Sequence, residues 1–137
     1  MSRAIKRTLL VAFALCLLPR VPAGAADIYQ IAISRSRFPE VARHIDDAQA
    51  AGRPKILTID RDATRAEARS REARSGHAPA PPGMDLDEYP PKMFKEGGRG
   101  ASIRVVPLSQ NRGAGASMGN QCRPYRDGAR IELVTEP

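Results

Sequence analysis

Apolar and polar positions alternate over residues 29–34 (YQIAIS), and this β-branched period of two predicts a first strand. The spacing then changes to a helical one. Phe38, Val41, Ala42, Ile45 and Ala48 share one face, Pro39 and Glu40 suit a first turn, and Gly52 suits a stop, so an amphipathic helix of about three turns follows. Residues 55–60 (KILTID) read as a second, mostly buried strand that delivers Asp60 and Arg61 to a strand edge. Residues 62–74 are alanine and charge, which predicts a second helix with little apolar surface, solvated or facing a ligand. The proline- and glycine-rich segment 76–85 reads as a loop. After it come a short extended piece at 86–89, a flexible turn around Gly97, Gly98 and Gly100, and a strand at 101–108 in which Pro107 marks an edge or bulge. A Gly/Asn-rich turn (NRGAG, 111–115), a short helix from Ala116 to about Arg123 and a final strand at 130–134 complete an α+β chain without internal repeats.

The N-terminus changes how charge and cysteine are read. Arg3, Lys6 and Arg7 precede an apolar stretch at 9–18, and Pro19, Arg20 and the small-residue run Ala23-Gly24-Ala25 close it. This is the pattern of a secretory signal peptide spanning 1–25, and the stretch is shorter than the roughly 20 residues a membrane span needs. The mature part, 26–137, is then one domain without a membrane span, expected to be a secreted or periplasmic monomer. Cleavage removes four cations and no acid, so the net charge falls from +7 to +3, and any nucleic-acid footprint must rest on where the charges sit. It also removes Cys16, which leaves Cys122 without an intrachain partner, as a buried small hydrophobe in preference to a thiol joining two chains.

Candidate chemistry gathers downstream of the proline-rich loop. Asp85, Asp87 and Glu88 stand together, and Asn111, Asn120 and Gln121 follow, a hard-oxygen set that suits Mg²⁺ or Mn²⁺, with Ca²⁺ as a third candidate. Zinc is disfavoured because the mature chain offers only His44, His77 and Cys122 at unrelated spacings, and the same scarcity argues against a Ser-His-Asp or Cys-His nucleophile system. Arg61, Arg65 and Arg69 recur every fourth residue and would present three guanidinium groups to phosphate on one helical face, which Glu72 partly neutralises. Acids beside turns are usually solvated or capping residues, so composition alone leaves function open.

The phrases TIDRDA (58–63), DLDEYPPKMFKEGG (85–98) and NRGAGASMGNQ (111–121), followed by YRDGAR, resemble successive blocks of the NucA/NucB deoxyribonuclease family. With PEVARHIDDAQAAG, the likeness covers residues 29–134. The resemblance implies a ββα-metal-type nuclease core, formed by the segments at 86–89, 101–108 and 116–123, with aspartate in place of the histidine base common in such nucleases. It implies Asp87 as the base that activates water, at or beside the metal, with Glu88 as the adjacent acid on the opposite strand face. It implies metal-site roles for Asn120, Gln121 and Glu96, and phosphate contacts from Arg112 in the Gly-rich turn, with Asn111 beside it. Some relatives carry a cysteine pair near the positions of Leu57 and Met93, which this chain lacks.

The favoured expectation is an exported, metal-dependent endodeoxyribonuclease with little sequence preference, since nothing resembles a base-reading helix or arm. The rivals are a catalytically idle exported nucleic-acid-binding protein and a toxin-like nuclease acting on RNA or competitor DNA. Asp87 together with Asn120 speaks against the first, and the lack of a fused delivery module speaks against the second.

Overall fold

The computed structural model describes residues 27–137, so the expected signal segment and its cleavage site lie outside the described residues. The elements run β1 (Ile28–Ser34), α1 (Pro39–Ala50), β2 (Ile56–Thr58), α2 (Ala63–Arg74), β3 (Met84–Tyr89), β4 (Ser102–Pro107), α3 (Leu108–Cys122) and β5 (Arg130–Glu136). The α+β class is as expected. No helix among the described residues is long and apolar enough to cross a membrane.

A three-stranded sheet has β5 at its centre, parallel to β1 and antiparallel to β2. Ile31 and Ile33 of β1, Leu57 of β2, and Ile131 and Leu133 of β5 are buried on it, and Val41, Ala42, Ile45 and Ala48 of α1 join the same core. Cys122 is buried there too, and that burial pushes its thiol pKa up, which suits a packing role. Leu57 is fully buried and Met93 packs against the core, so apolar contact occupies the positions where relatives were expected to carry cysteines.

A second sheet is the hairpin β3–β4, whose register sets Asp87 opposite Arg104, Asp85 opposite Val106 and Tyr89 opposite Ser102. Opposed residues of an antiparallel pair share a face, and alternation sends Leu86 and Glu88 to the other. The first face meets α1 and α3, through His44 to Asp87, Gln49 to Tyr89, and Asn111 to Asp85. The second meets α2, through Ser70 and Arg74 to Glu88. With only Ser70 and Ala73 buried, α2 docks by charge-assisted hydrogen bonds more than by apolar area, as its composition requires.

The largest departure from the sequence reading is α3. It begins at Leu108, so NRGAG is helical and is not a turn. Glycine normally weakens a helix interior, but a Cβ at Gly113 would lie 2.5 Å from Cε1 of Phe38 at the start of α1, so a bare backbone lets the two helices approach. Gln110 of α3 also accepts the Glu40 backbone N–H at 2.8 Å, serving the open N-terminus of α1. These long-range contacts outweigh local propensity.

Candidate active site in the strand–strand–helix unit

Along β3 lies a groove of about 450 Å³, bounded by Arg74, residues 91–93 and the α3 face that carries Asn111, Gly115 and Gly119. Leu86, Asp87 and Glu88 line it in succession, which requires the groove to run along the strand edge that β4 leaves unpaired.

Three acids here have different surroundings. Asp85 accepts from Asn111 Nδ2 at 2.9 Å and from its neighbour's backbone, Leu86 N–H, at 2.8 Å. Asn111 itself also lines the groove. Glu88 Oε1 accepts from Ser70 Oγ at 2.5 Å and Arg74 Nε at 2.6 Å, while Oε2 is buried without a partner among the described residues. Burial opposes the charge of Arg74, but its ion pair with Glu88 prevails and leaves the guanidinium pKa raised. Asp87 is buried, and its Oδ2 meets His44 Nδ1 at 2.6 Å. His44 Nε2 in turn meets Ser102 Oγ at 2.9 Å.

That Asp87–His44–Ser102 chain is a pairing that the spacing of the histidines does not signal. His44 lies on the buried stripe of α1 and the hairpin folds against that stripe, a juxtaposition no linear spacing reports. Its connectivity is that of a serine nucleophile system, acid at Nδ1 and hydroxyl at Nε2, but its two ends open onto different cavities. Asp87 faces the groove, whereas Ser102 lines a separate depression with Asp47, Arg53 and Arg104. His77 stands exposed in the loop after α2.

The other expected site residues are dispersed. Asn120 is exposed, with Oδ1 accepting from Arg123, and Gln121 pairs with both the N–H and C=O of Ala32, fastening α3 to β1. Glu96 accepts from the backbone N–H and hydroxyl of Thr58. None of the three lines the groove. Arg112 is exposed on α3. Arg61 precedes α2 and caps the C-terminus of α3, donating to the carbonyls of Cys122 at 2.8 Å and Tyr125 at 2.6 Å. Arg65 and Arg69 converge on buried Asp60. The three arginines of the expected phosphate face are therefore engaged within the fold: Arg65, still 59% exposed, and Arg69 pair with Asp60, and Arg61 caps α3. His44, Ser102 and Arg74 were missed as neighbours of the acids, and Arg74 carries no signal in its alanine- and charge-rich helix.

Two α3 glycines test the packing argument. Gly113→Ala gains helix propensity but drives Cβ into Phe38, with a net loss of about 1 kcal/mol expected in urea unfolding. Gly115→Ala meets nothing within 4 Å and should instead gain roughly 0.5–1 kcal/mol. Equal shifts for the two variants would refute close approach at Gly113.

An α+β scaffold with an acid-lined groove on a strand–strand–helix unit defines the class. The sequence pattern of the family Deoxyribonuclease NucA/NucB matches residues 45–134, and the chain belongs to that family of DNA-hydrolysing enzymes. A relative from Bacillus subtilis (strain 168), the DNA-entry nuclease, is 43% identical over 101 residues, covering 74% of this chain and 67% of its own length.

Proposed function

We propose that residues 26–137 form an exported, divalent-metal-dependent endonuclease that cleaves DNA with little sequence preference. The observation that carries this reading is the groove, lined by Asp87, Glu88 and Asn111, with one buried Glu88 carboxylate oxygen left without a partner among the described residues. A buried carboxylate oxygen without a partner is costly even where the other oxygen is ion-paired, and a cation relieves that cost. Among the described residues no three His, Cys, Asp or Glu side chains form a ready cage. Mg²⁺ and Mn²⁺ sites do not need one, because one or two carboxylates plus substrate phosphate suffice.

Glu88 Oε2 and Asn111 Oδ1 would hold the metal, with Asp87 at its side. The helix-borne amide of the mechanism is thereby assigned to Asn111 in place of Asn120. When bound, the cation supplies charge against the phosphorane and acidity to water. Asp87 accepts the proton of the attacking water as its oxygen bonds to phosphorus, and the in-line P–O bond breaks with the leaving oxygen taking up a proton from solvent. Arg112, exposed on the same helix, contacts the phosphate backbone, and Arg74 holds Glu88 in place. The bare Gly115 and Gly119 face lets the nucleic-acid backbone lie close to α3. Export rests on the N-terminal pattern.

Purified 26–137 mixed with supercoiled plasmid and Mg²⁺ or Mn²⁺ should give nicked circles before fragments, and EDTA should stop the reaction. Nicking undiminished by EDTA would remove the metal, and fragments appearing only from free ends would remove the endonucleolytic mode.

A further inference from the structure

We infer that His44, held by Ser102, is a positioning residue that aims the Asp87 carboxylate into the groove. The inference rests on the reading of Asp87 as the base. His44 is completely buried on α1 beside Val41, Ile45 and Ala48, where an apolar side chain would fill the same space without burying two polar nitrogens. Both nitrogens are instead satisfied, at 2.6 Å by Asp87 and at 2.9 Å by Ser102.

A carboxylate can only accept, so Nδ1 carries a proton and donates to Oδ2. In the neutral imidazole, Nε2 then accepts from the Ser102 hydroxyl, which selects that tautomer. The cation opposite Asp87 in the hairpin register, Arg104, is directed to Asp47 at 2.9 Å. Orientation of Asp87 therefore falls to His44. Pinning Oδ2 against α1 turns Oδ1 towards the groove, and the rigid helix, not a loop, sets the angle. Small misplacements of a reacting group cost large factors in rate, so the array matters to turnover and not to substrate affinity.

Asparagine and glutamine separate this role from simple core filling. His44→Asn keeps an N–H donor near the position of Nδ1, whereas His44→Gln puts its amide near that of Nε2 and leaves Asp87 without its donor. With a fluorogenic DNA duplex and Mg²⁺, His44→Gln should lower kcat roughly 10–100-fold at unchanged KM, the range seen when outer partners of a site are removed. His44→Asn should restore most of that loss at a matched melting temperature. Full kcat in His44→Gln beside an inactive Asp87→Asn overturns the inference and leaves the base assignment standing. Equal impairment of the two His44 variants at matched stability also overturns it, and an active Asp87→Asn sinks both readings. If neither His44 variant folds, Ser102→Ala decides, since it keeps the Asp87 contact but frees Nε2: a lower kcat at constant KM supports the array, and an unchanged kcat refutes it.

Discussion

Replacing Asp87 with asparagine is expected to lower DNA cleavage by roughly 10²–10⁴-fold, the usual cost of losing a general base. The substitution is nearly isosteric, and the structure indicates why it should not disturb the fold. The new amide can turn its oxygen to His44 Nδ1, preserving the contact that Oδ2 makes at 2.6 Å, and present its NH₂ to the groove. What is lost is the capacity to take a proton from water at neutral pH. The fall should therefore appear in kcat, with melting temperature and DNA affinity nearly unchanged. Measurement requires kcat and KM on a defined duplex together with binding under conditions that prevent turnover. Near-full activity in a folded Asp87→Asn preparation would exclude Asp87 as the base.

The second large effect concerns stability in acid and centres on Asp60, remote from Asp87 in sequence. Its buried carboxylate accepts from Arg65 Nη2 at 2.7 Å and Nε at 2.9 Å, from the Asp62 backbone N–H at 3.1 Å, and from Arg69 Nη1 at 2.8 Å. These donors, Arg65 foremost, hold the carboxyl well below the usual carboxylate range. The folded pKa thus lies below the unfolded one, and the folded state binds fewer protons across the acid window. The stabilisation is fully present above the unfolded value of about 3.9 and is lost as pH falls from there through the depressed folded value. Urea midpoints of the wild type should accordingly drop steeply below about pH 4, and Asp60→Asn should flatten that part of the profile. At pH 7 the variant should already be less stable, because Arg69 is only 12% exposed and Asp60 is its charge partner. Parallel pH profiles for the two proteins would show that Asp60 contributes nothing to acid sensitivity.

The contrast between Asp60 and Asp87 explains how far linear reading reaches. The alternation of YQIAIS, the stripe from Phe38 to Ala48 and the closing strand all yield β1, α1 and β5, because each carries its own apolar period and one face of it is buried. DLDEY could be read as strand with Asp87 and Glu88 on opposite faces for the same reason, since a period of two needs no knowledge of neighbours. Three periodic arginines, by contrast, looked like a phosphate face because spacing reports which side chains are adjacent but not what they meet. In the fold, one caps α3 and two neutralise a buried aspartate. NRGAG looked like a turn because glycine disfavours helices locally, and only the approach of Phe38 shows why a helix needs glycine there. The groove itself is wholly tertiary: Arg74, Asp87 and Asn111 come from three elements, and His44 reaches Asp87 from a fourth. Sequence alone determined the periodic elements and the acids available for chemistry, whereas tertiary structure decided which charges are partnered inside the fold and which are left facing the groove, because pairing and desolvation depend on distances that only packing sets.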